Sequence, residues 1–355
     1  MSRYWSELTR RLEPYIPGEQ PKDKKYIKLN TNENPYPPSP RAVEAIKRAA
    51  DDSLRLYPDP NCDDLRAEVA RYYGIDRSQV FMGNGSDEVL AFAFAALFDP
   101  GRTILFPDIS YTFYPVYSNL YNLDYRMVPL DEDFSIPTRE FFSSPGGVII
   151  PNPNAPTGKY LPLEQIIEIV QQNPGSVVII DEAYIDFGGE SAISYIDTYP
   201  NLLVVQTLSK SRSLAGLRVG FAAGNKELIE GIERVKNSFN SYTLGRPVLA
   251  GAVEALRDDE YFKETRARVI ATRERVTMKL REMGFNVVDS RANFIFTGHS
   301  SISGAELFRR LRERGILVRH FKSPRIENYL RVSIGTDDEM DRFLLETAEI
   351  CGIAH

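Results

Sequence analysis

Between residues 79 and 222, short and strongly apolar runs alternate with segments of helical periodicity, and this alternation constrains the fold more than any other feature of the chain. The candidate strands are Gln79–Met82, Thr103–Phe106, Gly147–Ile150, Ser176–Ile180, Leu202–Gln206 and Arg218–Ala222, with amphipathic stretches such as Leu163–Gln172 between them. Buried runs alternating with helices predict an α/β fold: a large domain with a mainly parallel sheet covered by helices. In such sheets functional groups gather at the carboxyl ends of strands. Here Gly83–Glu88, Asn152–Gly158, Asp181–Tyr184 and Ser209–Lys210 directly follow candidate strands, so these polar clusters are expected on one rim.

The flanks differ in character. The opening, through Tyr36-Pro37-Pro38-Ser39-Pro40, predicts an extended arm leading into a helix at about Arg41–Ala50. Arg246 to Glu282 reads as one long, charged helix. Strand-like Phe285–Val288 and Asn293–Phe296, a helix near Ala305–Arg314, strand-like Ile316–Arg319 and Tyr329–Ile334, and a last helix predict a smaller α+β domain. The expected division is an arm over 1–40 packing with the small domain, a large domain over 41–275 and a small domain over 276–355.

Composition removes several function classes. A net charge of -6 argues against nucleic-acid or anionic-membrane partners. The longest apolar run, Val89–Phe98, is about half the ~20 residues that span a bilayer, so it reads as a buried helix. The first twenty residues are polar and lack a signal-peptide core, which makes the cytoplasm the expected location. Cys62 and Cys351 lie far apart, and His299, His320 and His355 are scattered singly. Neither a disulfide framework nor a metal site is expected.

Lys210 follows the apolar run Leu202–Val205 and is held between hydroxyls in Thr207-Leu208-Ser209-Lys210-Ser211; Arg218 comes eight positions on. An amine able to form a Schiff base, beside groups that bind anions, suits pyridoxal-phosphate chemistry. Gly83-Asn84-Gly85-Ser86-Asp87-Glu88 links a strand to the apolar helix. Its glycines permit a tight turn, Ser86 or Asp87 can cap the helix, and the free N–H groups suit a phosphate. The GxxxxGK[ST] spacing of nucleotide-triphosphate binders is absent. Asp181-Glu182-Ala183-Tyr184 ends a buried run in carboxylates. An acid there could bind a metal, act as a base or pair with a cationic ring nitrogen, and Lys210 twenty-nine residues later makes the last role coherent. Arg319 and Arg331 fall on apolar strands, where a buried charge needs a partner: an internal carboxylate or an anionic group of a substrate.

With these residues in place, the chain resembles the fold-type I pyridoxal-phosphate aminotransferases, and within them the branch that acts on histidinol phosphate. The markers run in family order: Leu29-Asn30-Thr31-Asn32-Glu33-Asn34-Pro35, Tyr57-Pro58-Asp59-Pro60, Gly83–Glu88, Pro151–Gly158, Asp181–Tyr184, Ser209–Arg218 and Leu330–Thr336. The resemblance implies that Lys210 carries pyridoxal 5′-phosphate as a Schiff base, that Asp181 faces the ring nitrogen and that Tyr184 faces the ring hydroxyl. It further implies that Gly85, Ser86, Ser209 and Arg218 hold the phosphate, that Asp87 and Asn154 belong to the cofactor set, and that Tyr111 stacks on the ring. Tyr57 would reach the phosphate from a second subunit, which implies a homodimer with shared sites. Tyr15, Asn32, Arg319 and Arg331 would recognise the substrate.

One position departs from the family pattern. The family reads Asn-Asn-Pro-Thr-Gly, whereas this chain has Asn154-Ala155-Pro156-Thr157-Gly158, so Ala155 cannot donate to the ring hydroxyl. Either Asn154 substitutes or Tyr184 acts alone. The expected reaction is amino transfer between L-histidinol phosphate and 2-oxoglutarate. Its rivals are an aromatic or broad-range amino-acid aminotransferase and a lyase resembling threonine-phosphate decarboxylase. A transcription-regulator effector domain is disfavoured, because about forty proline-rich residues before the first domain helix are too few for a helix-turn-helix unit.

Overall fold

A computed structural model describes residues 2–353; His355 lies outside the described residues. The chain opens with α1 (Glu7–Arg11), β1 (Ile27–Lys28), α2 (Pro40–Arg48) and α3 (Asp63–Tyr73). The alternating region follows as β2 (Val80–Asn84), α4 (Gly85–Leu97), β3 (Ile104–Pro107), α5 (Phe113–Leu120), β4 (Tyr125–Val128), β5 (Gly147–Pro151), α6 (Leu163–Gln171), β6 (Val178–Asp181), β7 (Leu202–Thr207) and β8 (Val219–Gly224). Helices α7 (Lys226–Phe239), α8 (Arg246–Arg257) and α9 (Asp259–Glu282) lead into β9 (Asn286–Val288), β10 (Phe294–Gly298), α10 (Gly304–Glu313), β11 (Ile316–Leu317), β12 (Arg319–His320), β13 (Tyr329–Ser333) and α11 (Asp337–Cys351).

The larger sheet has seven strands in the order β2-β8-β7-β6-β5-β3-β4. Strands β5, β6 and β7 are parallel and buried throughout, and successive side chains alternate between two cores. Ile150, Ile180 and Val204 pack with α3, α6 and α8 residues such as Val69, Ile166 and Leu256. Ile149, Ile179 and Leu203 pack on the other face with Val89, Phe94 and Ile229 from α4 and α7. Cover on both faces explains why these strands read as continuous apolar runs.

The direction of β8 decides what the rim contains. It pairs antiparallel with both β7 and β2, so its first residue lies beside the last residues of its neighbours: Val219 opposes Asn84, and Gly220 opposes Thr207. Arg218, immediately before β8, thereby joins the rim formed by the carboxyl ends of the other strands.

Two readings of the sequence need correction. The charged stretch 246–282 is two helices, broken at Asp258, whose ψ of 66° leaves the helical region and whose carboxylate accepts the hydroxyl hydrogen of Ser39, the N-cap of α2. Periodicity alone does not reveal a cap partner more than two hundred residues away. The sheet also contains β4, an edge strand whose Arg126 and Met127 are exposed; it lacks the apolar run that marks a buried strand.

Towards the C-terminus, a four-stranded sheet runs β12-β13-β10-β9, while β1 of the arm pairs in parallel with β11. Leu29 of the arm is buried with Val276 and Leu280 of α9, Ile295 of β10 and Phe343 of α11. The strand expected over 316–319 divides at Val318: β11 pairs with the arm and β12 with β13.

Gly220 allows α4 to approach β8, since a Cβ there would overlap the Ser86 nitrogen and the Gly85 carbonyl carbon. Gly220→Ala is expected to destabilise the fold by about 1–3 kcal/mol through overpacking, measured by urea unfolding. An unchanged midpoint would show that the α4 terminus yields freely.

Candidate active site

The rim encloses a cavity of about 460 Å³ lined from the ends of β5, β6 and β7, the first turn of α4, the segments that follow β3 and precede β8, the arm and the C-terminal sheet. One end is an anion cradle. Ser86 and Asp87 lie in the first turn of the thirteen-residue α4, whose free N–H groups carry partial positive charge. Arg218 adopts a left-handed backbone (φ 56°), and its guanidinium reaches the Ser209 hydroxyl at 3.4 Å and the Asp87 carboxylate at 2.9 Å. Gly85 (φ 77°) does not itself line the cavity, but a Cβ there would sit 2.5 Å from the Arg218 guanidinium. Asp87 also accepts a hydrogen bond from the Tyr111 hydroxyl at 2.6 Å. Burial, and then the Asp87 charge, push the Tyr111 phenol upward and keep it a donor.

Asp181, at the tip of β6, stands on the floor. It is buried and accepts hydrogen bonds from the Tyr114 hydroxyl at 2.9 Å and the Ala183 amide at 3.3 Å. Burial raises its carboxyl to about 6 against the opposing pull of these bonds. No salt bridge engages it among the described residues, so it is an acceptor in want of a cation.

Lys210 lines the same cavity; its Nζ lies 3.3 Å from the Thr31 carbonyl and 5.9 Å from the centre of the Tyr184 ring. Asn34 of the arm donates to the Lys210 carbonyl at 3.0 Å and steadies the loop that carries it. Tyr184 also lines the cavity, and its hydroxyl accepts from the Asn32 amide at 3.0 Å.

The opposite end is cationic. Arg331 donates to the Asn30 carbonyl at 3.0 Å, while its Nε is buried without a partner. Burial, and the charge of Arg319 nearby, work against its protonation, yet a guanidinium stays charged. Phe321 lies 5.9 Å from the Arg319 guanidinium and 5.8 Å from that of Arg331. Tyr15 stacks on Phe113 at 4.2 Å, and burial raises its phenol while both arginines oppose the shift.

Two expected cofactor residues lie elsewhere. Asn154 is buried outside the cavity lining; its amide donates to the Ile109 carbonyl and to Thr157, both at 2.9 Å. The amide is committed to holding its own loop, so the alternative in which Asn154 substitutes at position 155 is set aside. Tyr57 is 76% exposed, far from lining this chain's cavity, and stacks on Tyr242 at 4.5 Å. Sequence reasoning missed Gln20, Asn30 and Phe321, which also line the cavity. Asn30 and Phe321 were signalled by their neighbours, one inside the arm motif and one two residues past Arg319. Gln20, in the irregular arm, carried no signal.

A doubly covered parallel sheet with an amine, an acid and an anion cradle on one rim defines a class, and the comparisons agree. The chain belongs to the family Aminotransferase class I and II, whose model matches residues 24–346. It is 62% identical over 344 residues to a histidinol-phosphate aminotransferase of Clostridium acetobutylicum, covering 97% of this chain and 98% of that one. A histidinol-phosphate aminotransferase of Clostridium botulinum (strain Langeland) is 58% identical, covering 97% of each. In fold, the chain matches the crystal structure of histidinol-phosphate aminotransferase from Sinorhizobium meliloti in complex with pyridoxal-5′-phosphate, with a TM-score of 0.87 and 23% identity over 99% of this chain and 98% of that one.

The raised Asp181 carboxyl has a definite stability consequence. Its charged form is penalised in the fold, so the penalty is absent below its ordinary value of 3.8 and complete above about 6. For the chain alone, Asp181→Asn is expected to stabilise by roughly 2–3 kcal/mol at pH 8 and by little at pH 4. Glu182, raised to about 7 by burial, titrates in both proteins and cancels from the difference. Urea unfolding at the two pH values checks this, and a gain independent of pH would refute it.

Proposed function

We propose that this chain transfers the amino group of L-histidinol phosphate to 2-oxoglutarate, giving imidazole-acetol phosphate and glutamate, with pyridoxal 5′-phosphate held at Lys210. The observation that carries this reading is the meeting of Asp181, Lys210 and Arg218 in one cavity whose other end presents Arg319 and Arg331. The residues fit the cofactor on two counts. Gly85 leaves the room that the Arg218 guanidinium occupies, since a Cβ there would lie 2.5 Å from it, and Asp181 is a buried acid without a cationic partner among the described residues. The names of the relatives at 62% and 58% identity support the substrate.

Pyridoxal phosphate would supply an aldehyde that takes up amines and a pyridinium ring that withdraws electrons from the substrate's α carbon. Asp181 would hold the proton on the ring nitrogen, and Tyr184 would donate to the ring hydroxyl. Arg218, Ser209 and the N–H groups of Ser86 and Asp87 would bind the phosphate, while Asp87 holds Arg218 and Tyr111 in place. Lys210 Nζ, once the substrate's amine has displaced it from the cofactor, would be the base: it would take a proton from the substrate's α carbon and, as an ammonium, donate it to the former aldehyde carbon of the cofactor. Arg319 and Arg331, with Tyr15 and Asn32, form the recognition set for the substrate, whose phosphate would meet the arginines; two guanidiniums suit a doubly charged group. The arm segment that carries Pro17, Gly18 and Gln20 lines this end and would exclude water. The exposed Tyr57 would complete the site of a partner subunit, which makes the working form a homodimer. The enzyme would act in the cytoplasm, within histidine biosynthesis.

Borohydride treatment of the yellow holoprotein should fix the cofactor on Lys210, and its absence from that residue would remove the cofactor assignment. Rates with histidinol phosphate, phenylalanine and threonine phosphate should favour the first and thereby exclude the aromatic and lyase readings. Arg331→Ala is expected to raise the KM for histidinol phosphate at least about thirtyfold, with the Kd for pyridoxal phosphate within about twofold of wild type. Equal losses in both would take Arg331 out of substrate recognition.

A further inference from the structure

Tyr184 faces two unlike neighbourhoods. Its ring packs against an apolar patch of Ala155, Ala292 and Phe294, with Phe294 edge-on at 5.0 Å. Its hydroxyl meets the side-chain amide of Asn32 at 3.0 Å. Asn32 is a buried residue with a left-handed backbone (φ 56°), a conformation that asparagine tolerates better than most residues.

The direction of the Asn32 amide is determined by its surroundings. Its backbone N–H donates to the Ser333 hydroxyl oxygen at 2.8 Å, which leaves the Ser333 proton to be donated to Asn32 Oδ1 at 2.9 Å. Asn293 holds the Asn32 carbonyl at 3.0 Å. With Oδ1 occupied as an acceptor, the group turned to Tyr184 is the NH2. The phenol oxygen therefore receives a hydrogen bond from Asn32, and its own proton is left to point into the cavity.

We infer that Asn32, locked by Ser333, is a positioning residue that makes Tyr184 a one-way hydrogen-bond donor to the bound ring, in place of the amide that Ala155 lacks. This rests on the proposed cofactor and revises the assignment of Asn32: it acts on the ring through Tyr184 rather than by touching the substrate alone. The chain Ser333–Asn32–Tyr184 also joins β13, which carries Arg331 two residues earlier, to the ring-binding residues.

The test is a double-mutant cycle on the holoprotein, read by the Kd for pyridoxal phosphate and by the visible spectrum of the bound chromophore at one fixed pH. Asn32→Gly keeps the left-handed backbone and removes the amide. It should weaken cofactor binding about fivefold to tenfold, the range of one neutral hydrogen bond, and shift the visible band. In a Tyr184→Phe background the same change should add less than about twofold. Ser333→Ala, outside the cavity lining, should move the spectrum in the same direction and covers the case in which Asn32→Gly does not fold. An unshifted spectrum with wild-type affinity, or an Asn32→Gly effect undiminished by Tyr184→Phe, would overturn the inference while leaving the cofactor assignment intact. Failure of the wild-type chain to bind pyridoxal phosphate would instead remove the reading on which it rests.

Discussion

Burial of the Asp181 carboxyl at the tip of β6 is the constraint around which the rest of the site is organised. A carboxyl raised to about 6 by its surroundings costs the empty fold stability at neutral pH. That cost persists only because the strands on either side are packed on both faces, leaving water no entry from the cores. Tyr114 and the Ala183 amide offset part of it, and neither supplies a positive charge. The site is thus unbalanced until a cation arrives beside Asp181. On the proposed reading, a ring nitrogen that gains a proton when buried there would offset what the fold gives up, and the acid would be both a stability defect and the selective element for its ligand.

The reversal of β8 supplies the matching positive charge. In an all-parallel sheet the residue preceding β8 would lie at the far end, away from Lys210. Antiparallel pairing on both sides returns Arg218 to the rim, and its left-handed backbone turns the guanidinium towards α4. Glycine at 85 and 220 then permits helix and strand to close around that guanidinium. Direction of one strand, one strained residue and two missing side chains together make the cradle.

Much of this was legible in the sequence, for physical reasons. The six expected strands were visible because strands covered on both faces are apolar at every position, and the rim followed because polar clusters end those runs. The break at Asp258 and the edge strand β4 were hidden, the first by a distant cap partner and the second by exposure. The same division holds in the site. Lys210, Asp181 and Arg218 stand at strand ends and could be read from spacing. The distribution of hydrogen bonds among Asn32, Asn154 and Tyr184 could not, since it depends on which carbonyl or hydroxyl the fold brings near each amide. Asn154 spends its donors on Ile109 and Thr157, and Asn32, thirty residues into the arm, turns its own towards Tyr184.

The cationic end, proposed to receive the substrate, illustrates how discrimination can arise from charges left uncompensated. Arg319 lies near enough to oppose the protonation of Arg331, and neither forms an ion pair among the described residues. Phe321 lies within 6 Å of both guanidiniums, and its ring face attracts cations without neutralising either. Arg331 Nε and Asn30 Oδ1 are buried without partners in the same region. A singly charged carboxylate would leave part of this repulsion and some of these polar groups unsatisfied. A phosphate dianion carries more charge and three acceptor oxygens, so it would offset the repulsion and accept from Arg331 Nε, whereas Asn30 Oδ1, itself an acceptor, calls for a donor elsewhere on the ligand. Specificity on this account lies less in the shape of the cavity than in charge left unanswered when it is empty or half-filled, since an anion that met only one guanidinium would leave the other without a counter-charge.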